Sequence, residues 1–210
     1  MGEIHPLTQA IIDGDKVAAV ELTEGCLADG EAASAILEQR LVPGMAVIGE
    51  QFQQDEIFVP EMLIAANAMK ASLAILEPLI AESGVKAPHT AVIGTVQGDL
   101  HDIGKNLVGM MWRGANFEVI DLGVNVTPSD FAAAAEEHRP DIVGMSALLT
   151  TTVPLMREAV AAVKATGVET KVLVGGAPVS AEFAEEVGAD GFAEDAGAAA
   201  EVAKTLVSAA

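Results

Sequence analysis

Thr90-Ala91-Val92-Ile93-Gly94-Thr95, running straight into Val96-Gln97-Gly98-Asp99-Leu100-His101-Asp102-Ile103-Gly104-Lys105-Asn106, is the stretch that decides the fold. Its first six residues are a short β-branched run, read as a strand. Apolar residues then recur at helical spacing from Ile103 to Arg113. The same alternation repeats downstream. Strands are expected at Phe117–Leu122, Asp141–Ser146 and Lys171–Gly176, with a weak fifth at Gly191–Ala193. Helices are expected at Pro128–His138, Val153–Thr166 and Ala181–Val187, with a last one to about Val207. Strict strand–helix alternation predicts a parallel sheet with helices on both faces. Ligands of such sheets sit beyond the carboxyl ends of the strands. The loop from Val96 to Asp102 is therefore a candidate site by position alone.

Upstream the pattern is helical throughout. Leu7, Ala10 and Ile11 mark a first helix, and Val17, Val20, Leu22 and Leu27 a second starting near Asp15. A third runs from Glu31 through Leu41 and continues towards Gln53. A fourth begins near Pro60-Glu61 and runs to about Ala81. Four amphipathic helices with short connections predict a small bundle. Ser83-Gly84-Val85-Lys86-Ala87-Pro88-His89 reads as a linker between the two patterns. The domains are set at 1–86 and 87–210.

Composition narrows the function classes. Lys and Arg number 11 against 31 Asp and Glu, a formal net charge of -20. Such a surface repels phosphate backbones and anionic lipids, which excludes nucleic acid and membrane as expected partners. Aromatic residues make up 3% while 51% of the chain is hydrophobic, so Ala, Val, Ile, Leu and Met build the core. Cys26 is the one cysteine and is expected to be a small buried apolar residue. The early Glu3 and Asp13 do not fit a signal peptide. No uninterrupted apolar run reaches the roughly 18 residues that span a bilayer. These features fit a cytoplasmic globular protein.

Two chemistries compete for the loop after the first strand. A phosphate cradle needs G-x-G-x-x-G or a P-loop, and neither is present. The other is metal chemistry. His101 offers an imidazole, and Asp99 two residues earlier can reach its far nitrogen, fixing the tautomer and raising basicity. Gly104 removes a side chain where a bulky ligand would pass. His5, His89 and His138 are expected to be merely solvated.

Asp99-x-His101-x-x-Gly104, within Gly98-Asp99-Leu100-His101-Asp102-Ile103-Gly104-Lys105-Asn106, resembles the signature of B12-binding domains. The wider string is similar to that of cobalamin-dependent methionine synthase and of the small corrinoid proteins of methyltransferase systems. Ser146-Ala147-Leu148 and Gly175-Gly176 resemble the family's S-x-L and G-G. Asp195-Ala196 sits where the family touches the far end of the nucleotide tail. Gly44 to Phe52 and Phe58 to Leu63 resemble its helical cap. The resemblance covers about residues 5 to 207. It implies an α + α/β chain: a four-helix cap bundle, then a Rossmann-like (flavodoxin-like), doubly wound, five-stranded parallel-sheet domain.

The resemblance also implies site roles. The cofactor is cobalamin or a related corrinoid, cycling through methylcobalamin and cob(I)alamin, bound base-off with His101 as axial ligand to cobalt. A relay runs from His101 to Asp99 to Thr152, where methionine synthase has serine. Gly98, Leu100, Asp102, Ile103, Gly104, Ser146, Leu148, Thr150, Gly175, Gly176, Asp195 and Ala196 contact the cofactor. In the cap, Phe52 and Val59 cover the methyl-bearing face, and Glu38 makes a polar contact. Lys105 is left as a first-turn helix charge. The implied function is a methyl carrier, not catalytic alone. Its partners are a substrate-specific methyltransferase, a methyltransferase acting on tetrahydrofolate or coenzyme M, and a reductive activase. The rival readings are a cobalamin-dependent regulator acting through protein contacts and the small subunit of an adenosylcobalamin mutase.

Overall fold

Five parallel strands form one sheet in the order β2-β1-β3-β4-β5. They are β1 (His89–Thr95), β2 (Phe117–Asp121), β3 (Ile142–Ser146), β4 (Lys171–Gly175) and β5 (Gly191–Ala193). The helices are α6 (Ile103–Gly114), α7 (Pro128–His138), α8 (Val153–Ala165), α9 (Ala181–Val187) and α10 (Ala196–Ser208). This computed structural model describes residues 4–83 and 87–208. The order reverses between β1 and β3, so the loops after those strands leave towards opposite faces. That reversal is the switch point at which doubly wound sheets bind ligands.

The sheet is buried on both sides, which is why its strands read as near-continuous apolar runs. Val92, Val143, Met145, Val172 and Val174 pack with Phe131, Met156, Val160 and Val163 of α7 and α8. On the other face Gly144 admits the Trp112 ring of α6, and the indole N–H donates to the Ala199 carbonyl of α10 at 3.1 Å. Trp112 is fully buried, so this bond leaves its one polar group satisfied.

The N-terminal unit is helical: α1 (Pro6–Ile12), α2 (Lys16–Ala28), α3 (Ala33–Ile36), a π-helical turn (Leu37–Leu41), α4 (Val42–Gln53) and α5 (Val59–Ser83). The third expected helix is thus continuous from 33 to 53 but widens in its middle. Pro43 supplies the reason, since it has no N–H for Gln39 and its ring crowds that carbonyl. The Val42 N–H reaches back to the Leu37 carbonyl instead. The nearby Arg40 carbonyl is taken by the Thr8 hydroxyl of α1 at 2.9 Å.

Helix α5 is long and apolar enough to cross a bilayer over Val59–Ile80, although Glu61, Lys70 and Glu77 interrupt it. It packs against α1, α2, α3 and α4 and buries Met62, Ala65, Met69, Leu73 and Leu76, as the core helix of a bundle does.

The chain divides into two compact units, 1–88 with 114–116, and 89–113 with 117–210. Of the expected linker, Gly84, Val85 and Lys86 lie outside the described residues.

Gly144 gives a direct test of this packing. An added Cβ would lie 2.5 Å from the Trp112 ring and 3.4 Å from Ile93. Gly144→Ala should destabilise the chain by about 1–3 kcal/mol in urea unfolding, with unchanged m-value, as an overpacked core does.

Candidate functional site

Val96 to Asp102 leaves β1 in a tight turn. The Asp99 N–H bonds the Val96 carbonyl at 3.1 Å, and Gly98, third in the turn, has φ +83. That conformation demands glycine or a near equivalent. The turn carries the Asp99 carboxylate inward, fully buried, and leaves the His101 side chain half exposed at 52%.

Four N–H donors and one hydroxyl converge on Asp99. Oδ1 accepts the His101 N–H at 3.0 Å and meets His101 Nδ1 at 2.7 Å. Oδ2 accepts the backbone N–H groups of Leu148 at 2.6 Å and Leu149 at 3.2 Å, from the loop after β3. The Thr152 hydroxyl lies 3.3 Å from Oδ2 and donates to the Leu149 carbonyl at 2.8 Å. Burial by itself would push the Asp99 carboxyl up. The Leu148 and His101 N–H groups, the His101 ring and the Leu149 N–H outweigh burial and hold it down at about 2. Asp99 is therefore an ionised acceptor. It places the imidazole proton on Nδ1 and leaves Nε2 with a free lone pair.

The surroundings suit a large, partly apolar ligand. Leu100, Ile103, Leu148 and Leu149 are exposed around the loop, whereas single exposed apolar side chains would be unremarkable. Nothing lies within 4 Å of where a Gly104 side chain would stand, so its backbone is open to close approach. A ring nitrogen left free, an exposed apolar rim and an open glycine together fit a corrinoid.

The other expected residues fall as follows. Asp102 is exposed before α6 and accepts from Asn106 Nδ2 at 3.1 Å. Ser146 ends β3, and its carbonyl accepts the Val96 N–H at 3.0 Å. Thr150 is exposed on the same loop as Leu148. Gly175 and Gly176 are required by the sheet itself. A Cβ would lie 2.7 Å from the Ala193 carbonyl oxygen at Gly175 and 1.9 Å from that of Ala147 at Gly176. Asp195 caps α10 by accepting the Ala198 N–H at 2.8 Å, and Ala196 is buried. In the helical unit Phe52 and Val59 are half-buried and Glu38 is exposed on the π turn.

Two of the histidines set aside are not simply solvated. His5 caps α1, its Nδ1 accepting the Leu7 N–H at 3.2 Å. His89 packs on Phe117, ring centroids 5.6 Å apart. Cys26 is buried as expected, its thiol pushed up by desolvation and by Glu31. His5, Cys26 and Glu31 place possible ligand atoms within 4.8 Å of one another. Leu7 already occupies His5 Nδ1 and Arg40 pairs with Glu31 at 3.4 Å, so the cluster is satisfied without an ion.

Sequence reasoning missed three parts of the site. Lys105 stands in the first turn of α6, as expected, but is not solvated. It is buried at 3% exposure and donates to both Asp121 oxygens, at 2.7 and 2.6 Å, and to Asn106 Oδ1 at 2.7 Å. Thr95 Oγ1 donates to the His101 carbonyl at 2.9 Å. Asn125 Oδ1 accepts the Gly98 N–H at 2.8 Å. A lysine in the first turn of the helix that follows the ligand loop was the available signal for the first. The Asn125 contact spans 27 residues and left no local mark, and the Thr95 contact depends on how the loop folds back over six residues.

The Asp99 geometry predicts a pH signature. Its folded value lies below the ordinary 3.8, so the stabilisation is complete above about pH 4 and disappears as pH falls towards 2. Asp99→Asn should lose on the order of 2 kcal/mol relative to the parent at pH 6. The gap should narrow in urea unfolding near pH 2.5; a constant gap would contradict the assigned donors.

This chain is similar to several known proteins. Two family models, each a B12 binding domain, match residues 89–203 and 3–77. A corrinoid protein of Desulfitobacterium hafniense (strain Y51) is 42% identical over 99% of this chain and 98% of its own. Trimethylamine corrinoid protein 1 of Methanosarcina acetivorans is 39% identical over 89% of this chain and 88% of its own. The methanol:cobalamin methyltransferase complex of Methanosarcina barkeri contains a chain with TM-score 0.85 and 27% identity, covering 99% of this chain and 80% of that one. Cobalamin or a related corrinoid is thus the cofactor, and this chain belongs to the family of B12-binding corrinoid proteins of methyltransferase systems.

Proposed function

We propose that this chain is a methyl carrier in which His101 Nε2 is the lower axial ligand of a corrinoid bound base-off. The observation that carries the proposal is the 2.7 Å contact of Asp99 Oδ1 with His101 Nδ1 on a half-exposed ring. It commits one ring nitrogen to the protein and the other to the exposed side.

When bound, the corrinoid supplies a cobalt centre able to take up and release a methyl group. The chain's own residues orient and insulate. Asp99 holds the Nδ1 proton and fixes the orientation of the imidazole. The Leu148 and Leu149 N–H groups keep Asp99 ionised. Leu100, Ile103 and Leu148 would offer apolar contact to the macrocycle, and Thr150, Ser146 and Asp195 would hold the nucleotide tail. In the cap, Phe52, Val59 and Glu38 are the residues assigned to cofactor contact.

The substrate pocket belongs to a partner in this reading. A substrate-specific methyltransferase delivers the methyl group, and a second one, acting on tetrahydrofolate or coenzyme M, removes it. A reductive activase restores cofactor oxidised by accident. The relatives named for trimethylamine and the methanol complex support methylamines and methanol as donor classes to try first.

Loading with a corrinoid should give an absorption spectrum of histidine coordination that His101→Ala abolishes. The loaded, reduced chain should retain isotopic label from a methyl donor when a partner methyltransferase is added. An unchanged spectrum in His101→Ala, or no retained label with any donor class, would overturn the reading.

A further inference from the structure

Asn125, in the loop between β2 and α7, has φ +56. Side chains enter that region at an energetic cost, and asparagine tolerates it best after glycine. From there it holds the histidine loop twice. Its Oδ1 accepts the Gly98 N–H at 2.8 Å, and its own N–H donates to the Asp99 carbonyl at 3.0 Å. The Gln97–Gly98 and Asp99–Leu100 peptide units are thus tied to a single residue.

The loop carrying Asn125 is itself anchored. The Gly123 carbonyl accepts the Thr95 N–H at 3.0 Å, and the Gly123 N–H donates to Asp121 Oδ1 at 2.8 Å. Asp121 is gripped by the ammonium of Lys105, which also donates to Asn106, and Asn106 in turn donates to Asp102. Burial puts the Lys105 ammonium out of reach of a ligand at the exposed loop. Its bonds join the first turn of α6 to the end of β2, behind His101.

We propose that Asn125, backed by the Lys105–Asp121 pair, is a positioning residue that sets the His101–Asp99 geometry before any cofactor arrives. This rests on the reading of His101 as the lower ligand. Oδ2 of Asp99 is fixed by Leu148 and Leu149, but Oδ1 points at His101 only while the Gln97–Gly98 peptide, the central unit of the turn that carries Asp99, keeps its orientation. Without the Asn125 acceptor, the Gly98 N–H loses its partner and that peptide is free to rotate. Oδ1 then drifts from Nδ1, and the imidazole loses its fixed tautomer. Holding a site in its working geometry often requires a residue in an unfavourable backbone region.

Two substitutions separate the hydrogen bond from the backbone demand. Asn125→Gly accepts the positive φ but removes the acceptor, whereas Asn125→Asp keeps both. The first readout is the nitrogen NMR shifts of the His101 ring in the cofactor-free chain. The parent and Asn125→Asp should show a single Nδ1–H tautomer, and Asn125→Gly a mixture. The second readout is retention of added cobalamin, which should weaken about tenfold in Asn125→Gly, the loss usual when a ligand's supporting partner is removed. Lys105→Met should shift both readouts the same way. The Asn125 pair decides the matter where Lys105→Met fails to fold, and far-UV circular dichroism monitors folding in every variant. If His101→Ala abolishes histidine coordination while Asn125→Gly leaves tautomer and retention unchanged, the positioning role is overturned and the ligation reading stands. If His101→Ala leaves the loaded spectrum unchanged, the ligation reading fails and takes this inference with it.

Discussion

A single buried charge organises the functional end of this molecule. Asp99 has no exposed surface, and an unpaired carboxylate there would cost several kcal/mol. It is tolerated because backbone N–H groups from its own loop and from the loop after β3 converge on it. Folding must therefore bring β1 and β3 side by side and close both loops over the same point. Once Oδ2 is filled by Leu148 and Leu149, the acceptor capacity remaining on Oδ1 is directed at the His101 ring. The orientation of the imidazole follows from the need to neutralise a charge beneath it.

The sheet provides the place for that charge. Its strand order reverses between β1 and β3, and the crevice at a reversal is where doubly wound sheets leave space. Backbone closeness next to the crevice is bought with glycine. Gly176 passes the Ala147 carbonyl where no side chain fits, and Gly175 does the same beside β5. The G-G pair is thus explained by packing before any ligand is considered. Asp195 likewise has a complete local role as the cap of α10. Neither observation counts against cofactor contact, but neither residue can serve as independent support for it.

The strands and helices of the sheet domain were legible almost to the residue, because buried parallel strands are continuous apolar runs and the helices between them are amphipathic. Pro128–His138 and Ala181–Val187 coincide with the expected bounds. The π turn at Leu37–Leu41 was not anticipated. Its cause, Pro43, was visible, yet the same residue fits equally well at the first turn of a new helix. At the site, Asp99 and His101 were legible because two residues of spacing suffice for the pair to meet. Lys105 lies in the first turn of α6 as expected, but its burial was not legible, since its partner Asp121 belongs to the next strand. Asn125 was invisible for the same reason: its value comes from a hydrogen bond across 27 residues, which no local periodicity records. Thr95 serves a carbonyl only six residues on, and its role depends on the turn between them.

Thr152 shows how far the relay expected from the sequence survives in geometry. Its hydroxyl has one hydrogen and two acceptors in range. The Leu149 carbonyl at 2.8 Å is better placed than Asp99 Oδ2 at 3.3 Å. A hydroxyl committed to Leu149 steadies the loop whose N–H groups serve Asp99, and supports the carboxylate indirectly. With backbone donors already on both oxygens, Asp99 does not depend on Thr152 for its charge. The proton shared by His101 and Asp99 then resides on Nδ1, and the threonine acts by shaping the loop. Serine, with a less hindered hydroxyl, would switch between the two acceptors more freely. The branched Cβ of threonine restricts that choice.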